Sequence, residues 1–163
     1  ASIKSAFLLF TGTSSNSLNK TMDSYDPTSG SGDFSLTIAG TQYPQTPLSA
    51  VRNKAGILQM LRQATGSIYD KNNNFSINAK EFNLSGNTAT TYDKPAKFIV
   101  GIPLEKMSNS SALLSGISSQ NSAISLNINT TTQTAQAHNV HLILNYDLLL
   151  EIDPVSREAY VKQ

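Results

Sequence analysis

The fold is decided by Ala123-Ile124-Ser125-Leu126-Asn127-Ile128-Asn129 and, shortly after it, His138-Asn139-Val140-His141-Leu142-Ile143-Leu144-Asn145-Tyr146. In the first run Ile124, Leu126 and Ile128 alternate with Ser or Asn. In the second, Val140, Leu142, Leu144 and Tyr146 repeat the period of two. Alternation of this kind puts one face of a β-strand on a core and the other toward water or a neighbour. Leu142 and Leu144 are therefore expected to face inward with Val140, and Ser125 to face solvent. Asp147 to Asp153 continues as an almost wholly apolar run, Leu148, Leu149, Leu150 and Ile152, closed by Asp153-Pro154. Apolar residues on both faces predict a strand covered on both sides and ended by a turn.

Upstream the same grammar recurs. Ile3 to Phe10 reads as a first strand and Phe34-Ser35-Leu36-Thr37-Ile38 as a second, stopped by Ala39-Gly40. Between them Ser14 to Asp33 is a long polar loop, of the kind that is functional or mobile. A single good helix is expected from Thr46-Pro47, where a hydroxyl cap precedes a first-turn proline. Leu48, Val51, Ala55, Leu58, Leu61 and Arg62 follow at helical spacing, and Gly66 stands where a left-handed C-cap belongs. Short strands are expected at Phe75 to Asn78 and Lys80 to Leu84, stronger ones at Lys97 to Ile102 and Arg157 to Val161. The fold class is all-β: a jelly-roll sandwich of about eight strands with one inserted helix, in a single domain spanning 1–163.

Composition narrows the function. The 163 residues carry 12 basic and 11 acidic side chains, a formal net charge of +1, and no cysteine. The first twenty residues hold only Lys4 and Lys20, so the basic arm that phosphate neutralisation demands is missing and direct nucleic-acid binding is disfavoured. No window reaches the roughly 18 to 20 apolar residues that span a bilayer. Charged residues make up 14% of the chain, against about 25% in ordinary soluble domains. Such a neutral, hydroxyl- and amide-rich surface suits faces buried against copies of the same chain, and equally suits secreted adhesins.

Candidate chemistry is thin. His138 and His141, the two histidines, sit at strand positions of opposite parity and cannot share one metal without a bulge. Asp23, Asp26 and Asp33 share the polar loop, but the twelve-residue calcium pattern ending in a bidentate Glu is missing. Ser115-Gly116-Ile117-Ser118 is half of a nucleophile elbow, and no glycine-rich phosphate loop follows a strand. Asn-x-Ser/Thr triplets beginning at Asn19, Asn74, Asn83, Asn109 and Asn129 are what chance gives in a chain so rich in these residues. No catalytic, metal or cofactor residue is assigned, and an enzyme is not expected.

Two segments carry a resemblance. The first is Phe34 to Leu48: a strand, Gly40, then the Pro44-Gln45-Thr46-Pro47 entry. The second runs from Phe98-Ile99-Val100-Gly101-Ile102-Pro103-Leu104-Glu105 through Leu114 to Ser118 and Ala123 to Ile128, ending in Tyr146 to Pro154. That order resembles the C-terminal jelly roll of double-jelly-roll major capsid proteins, the kind found in virophages, polinton-like viruses and large eukaryotic DNA viruses. The resemblance implies a structural virion protein of a double-stranded DNA virus, assembled inside the host cell, that trimerises into pseudo-hexameric capsomers with other capsid proteins. The family carries two barrels per chain, whereas 163 residues hold one. The resemblance therefore implies a fragment or processed half that lacks a second jelly-roll segment, or a single-barrel relative such as a vertex protein. Leu113 and Leu114, large apolar residues on a loop, are the expected interface contacts. The rival expectation is a secreted adhesin or carbohydrate-binding β-sandwich, using Tyr25, Tyr43, Tyr69 and Tyr92 as stacking platforms in the absence of Trp.

Overall fold

The computed structural model describes residues 2–12, 24, 26–28, 31–68, 75–83, 97–105, 115–118, 123–130, 138–152, 154 and 159–162. The described residues are mostly β, in antiparallel sheets. One sheet is organised by β1 (Ser2–Gly12), which pairs with β4 (Ile99–Pro103) and β5 (Ile117–Ser118), and along its full length with β7 (His138–Asp147). The other has the order β3 (Thr41–Ser49), β2 (Gly32–Ile38), β6 (Ile124–Thr130). A separate hairpin pairs β8 (Leu149–Ile152) with β9 (Ala159–Lys162).

The two larger sheets enclose one core. Ala6, Leu8 and Phe10 of β1 alternate inward, as do Phe98, Val100 and Ile102 in and before β4, against Phe34, Leu36 and Ile38 of β2. Three phenylalanines, one from each of these segments, meet at its centre. Phe10 and Phe34 lie 5.7 Å apart by ring centroid, and Phe34 and Phe98 lie 5.8 Å apart, within the range of favourable tilted pairs. Inward alternation on β2 and β6 follows the sequence pattern directly, and Ser125 is exposed as its position in β6 requires.

The helix corrects the sequence reading. Thr46-Pro47 lies inside β3, not at a helix start. Proline is tolerated there because β3 is the edge of its sheet and Pro47 takes no N–H away from an interior ladder. The helix α1 (Lys54–Ala64) begins seven residues later, capped by Asn53, whose side-chain oxygen accepts the Gly56 N–H at 2.8 Å. Its buried residues are Ile57 and Leu61, whereas Val51, expected on the packed face, precedes the helix and is exposed. The C-terminal expectation holds. Gly66 has φ +73°, Ser67 N–H donates to Arg62 O and Gly66 N–H to Gln63 O, the two bonds of a Schellman cap. The helix lies on β4 at Gly101, where a Cβ would come within 2.7 Å of the Leu61 Cα. Only glycine permits that approach.

Two further readings change. Phe75 to Asn78 is irregular, and the strand expected at Lys80 to Leu84 is instead a one-turn helix, α2 (Ala79–Asn83). Asn78 and Glu81 bond reciprocally through side chain and backbone, a capping box that starts the turn and sends Phe82 into the core beside Phe98. The polar loop is anchored where it is described. Ser24 Oγ accepts the Phe10 N–H and donates to Phe98 O, while Asp26 Oδ1 accepts from Thr28 N–H and Oγ1. The ion pair of buried Asp26 with Lys54, 3.5 Å away, ties this loop to the first turn of α1.

Candidate functional site

The feature that calls for a function is the end of the molecule built from β7 and β8. Register puts Val140, Leu142 and Leu144 opposite Phe10, Leu8 and Ala6, so all six side chains share the core-facing side of the sheet. The β1 residues are fully buried, yet Val140 is 46% and Leu142 38% exposed. Only Leu144 packs against the core cluster. The cause is the layering. Among the described residues β7 is an edge strand of its sheet and β6 an edge strand of the other, so the sandwich ends there and half of β7 overhangs it. Inward alternation is thus present and the expected burial is missing.

The apolar run after it departs further. β8 was expected to be covered on both faces. All four of its residues are exposed, with Leu150 at 54% and Ile152 at 65%. Its one substantial packing partner among the described elements is β9. Tyr146 and Leu148 add to this surface and are each about half exposed. Monomeric proteins rarely leave more than a few hundred Å² of apolar surface open unless a partner covers it. The root of the overhang is firmly held. Lys4 Nζ of β1 lies 3.1 Å from Asp147 Oδ2 at the end of β7 and 3.4 Å from Glu105 Oε1. The hydrogen bond to Asp147, followed by its charge and by Glu105, raises the Lys4 pKa above its ordinary value of 10.5.

A second concavity, of about 460 Å³, lies between β3 and α1 and is lined by Asp33, Leu48, Arg52, Asn53, Gly56 and Met60 among others. Its polar lining is the Asp33 carboxylate, the Arg52 guanidinium, the Thr46 and Ser49 hydroxyls and the amides of Asn53, Gln59 and Gln63, with the Asn53 side-chain oxygen already capping α1. No aromatic ring lines it, so it offers a sugar no stacking platform.

The other residues singled out by sequence do not converge. Leu113 and Leu114 lie outside the described residues, as do Asp23, Tyr25, Tyr69 and Tyr92. Tyr43 packs against the core and Asp26 is buried in its loop. Backbone pairing gives positions 138 and 141 opposite parity, and the His141 ring nitrogen Nε2 bonds Thr11 Oγ1 at 3.0 Å. Ser115 donates to Glu105 and Gly116 N–H to Ser2 Oγ, so this stretch seals the start of β1. Among the described residues no three His, Asp or Glu side chains gather into a metal site. No described helix is long and apolar enough to cross a membrane. The signal for the β7–β8 surface lies in the sequence as Leu148 to Ile152, a run whose apolar character alone predicts an interior strand.

Comparison with protein-family models, curated proteins and solved structures returned no match.

Proposed function

We propose that this chain is a structural virion protein, a jelly-roll capsid subunit whose task is to assemble with copies of itself and with a second jelly-roll segment into trimeric capsomers. The observation that carries the reading is the half-covered inner face of β7, continuous in sequence with the exposed β8. Interfaces of permanent assemblies resemble a domain core cut in half, and β7 has that composition. The strand pairing lends support. The first strand pairs with the seventh and the second with the sixth, as in a jelly roll wound from one long hairpin, while the β2–β3 and β1–β5 pairings depart from that nesting. A near-neutral surface also opposes self-association weakly.

Sedimentation over a wide concentration range, on this chain alone and on a longer chain that adds a second jelly-roll segment, tests the proposal. The expected outcome is weak association of the former and a stable trimer of the latter. A longer chain that stays monomeric at high concentration, or a saturable glycan-array hit by this one, would replace the capsid reading with the carbohydrate-binding module.

A further inference from the structure

The two uncovered apolar elements of this chain fit one another, but not within one molecule. We infer that the β8–β9 hairpin is an exchange arm: it adds to the open edge of β7 in a second copy of this chain, its apolar side chains continuing the inner face of β7. The inference rests on the assembly reading above and names the contact through which assembly begins.

Three observations lead to a second copy as the occupant. The first is reach. β7 ends at Asp147 and β8 begins at Leu149, so a single residue links them. Turning a strand back to lie antiparallel on its predecessor takes a loop of at least about two residues. Leu142 also lies five positions before the end of β7, about 17 Å back along the strand. The arm leads away from the edge it would join and cannot pair with its own β7.

The second observation is complementarity of kind. The overhang of β7 presents Val140, Leu142 and Tyr146 beside a strand edge with no ladder partner among the described residues. A free edge next to an apolar face accepts an added strand, whose backbone completes the ladder while alternate side chains fill the face. β8 is such a strand: apolar, extended, already paired with β9 on one side, and exposed at every position. The chain thus carries both halves of a strand-addition joint.

The third is size. Val140, Leu142, Tyr146, Leu148, Leu150 and Ile152 are each between 38% and 65% exposed, more bulky apolar side chains than a single copy ordinarily leaves open in one place. Because arm and acceptor are joined, docking on a neighbour brings the two sandwiches side by side, and each copy keeps an arm or a face for the next.

The absence of native cysteine makes the test clean. One preparation carries Leu150→Cys in the arm. Differently tagged partners carry Val140→Cys, Leu142→Cys or, as a control on the exposed face of β6, Ser125→Cys. Oxidised mixtures are expected to yield a disulfide between arm and β7 positions of different copies and none at the control. In parallel, the doubly substituted Leu150→Glu, Ile152→Glu chain should keep its thermal midpoint, because both side chains are exposed in the single copy. Its self-association should weaken at least about tenfold.

Equal cross-linking at Ser125→Cys, or no arm cross-link while sedimentation still shows association, overturns the arm and leaves the capsid reading standing. An unweakened association of the double variant does the same. If the chain shows no association at all, the arm falls, and sedimentation of the longer chain decides the assembly reading separately.

Discussion

Truncating Phe98 to alanine separates the two halves of this molecule, the closed core and the open edge. Phe98 is 0% exposed and touches three other rings: Phe34, Phe10 at 6.2 Å and Phe82 at 5.2 Å. It also lies under the Lys54 ammonium, 5.3 Å from the ring centroid. Removing such a ring deletes its transfer free energy and leaves a cavity that rigid strands on either side cannot close, a loss of about 3–5 kcal/mol. The ring pairs push the value toward the upper end, since each is worth about 0.5–1.5 kcal/mol beyond area. About 4 kcal/mol is a large part of a total stability of about 5–15 kcal/mol and lowers the melting temperature by about 8–16 °C in a chain of this size. Leu142→Ala is the comparison. Were Leu142 interior, as its alternation suggests, it too would lose about 2–5 kcal/mol. With 38% of it exposed and no sealed cavity left behind, about 1 kcal/mol is expected. Urea denaturation read by circular dichroism gives both values, with unchanged slopes confirming that only stability moved. Equal midpoint shifts for the two variants would refute the division of the molecule into core and overhang.

Two other perturbations test its joints. Gly101→Val forces a side chain into the Leu61 backbone and should destabilise by about 1–3 kcal/mol, accompanied by loss of helical signal; a neutral result in urea would mean that α1 does not lie on β4 at that point. Because the folded-state pKa of Lys4 is raised, the stability it lends is complete below the unfolded value of 10.5 and is lost as pH climbs through the raised value. The difference in midpoint between the native chain and Lys4→Met should therefore be constant around neutrality and close above pH 10.5, and a gap that persists there would show that the lysine acts through packing instead of charge.

Much of the sandwich was legible because strand alternation is a local signal. β2, β6 and β7 appear where period two places them and β1 and β4 where short apolar runs do, within a residue or two of the expected ends. What failed did so where two local signals compete. Thr46-Pro47 fits a helix start and fits an edge strand equally well, and only the position of β3 at the edge of its sheet decides between them. Asn53 is an equally good cap seven residues after Thr46, and only the packing of Ile57 and Leu61 selects it. At α2 the Asn78-x-x-Glu81 signature of a capping box lies in the sequence beside the apolar spacing around Phe82 that suggests a strand, and the cap decides. The anchoring of Ser24 and Asp26 had no local signal at all, since their partners lie at Phe10, Phe98 and Lys54.

The candidate site was illegible for a deeper reason. A strand face that will be covered by its own chain and one that will be covered by another carry the same residues, because the same transfer of apolar surface from water drives both. Val140, Leu142, Leu144 and Tyr146 therefore read as one interior stripe. The layering cuts that stripe between Leu144, which reaches the core, and its neighbours, which do not. The alternative view, that the overhang is merely loose packing at the rim of a sandwich, conflicts with β8. A loosely packed rim selects small or polar residues on its outward side, whereas Leu148, Leu149, Leu150 and Ile152 place bulky side chains on both faces of a strand that its own sandwich does not cover. Edge strands left open in this way template further pairing and are blunted by charge or proline in chains that must stay single. β8 carries Glu151 as its one charged residue and no proline. An arm that must add to a neighbour needs that sequence, and one that must avoid neighbours is selected against it.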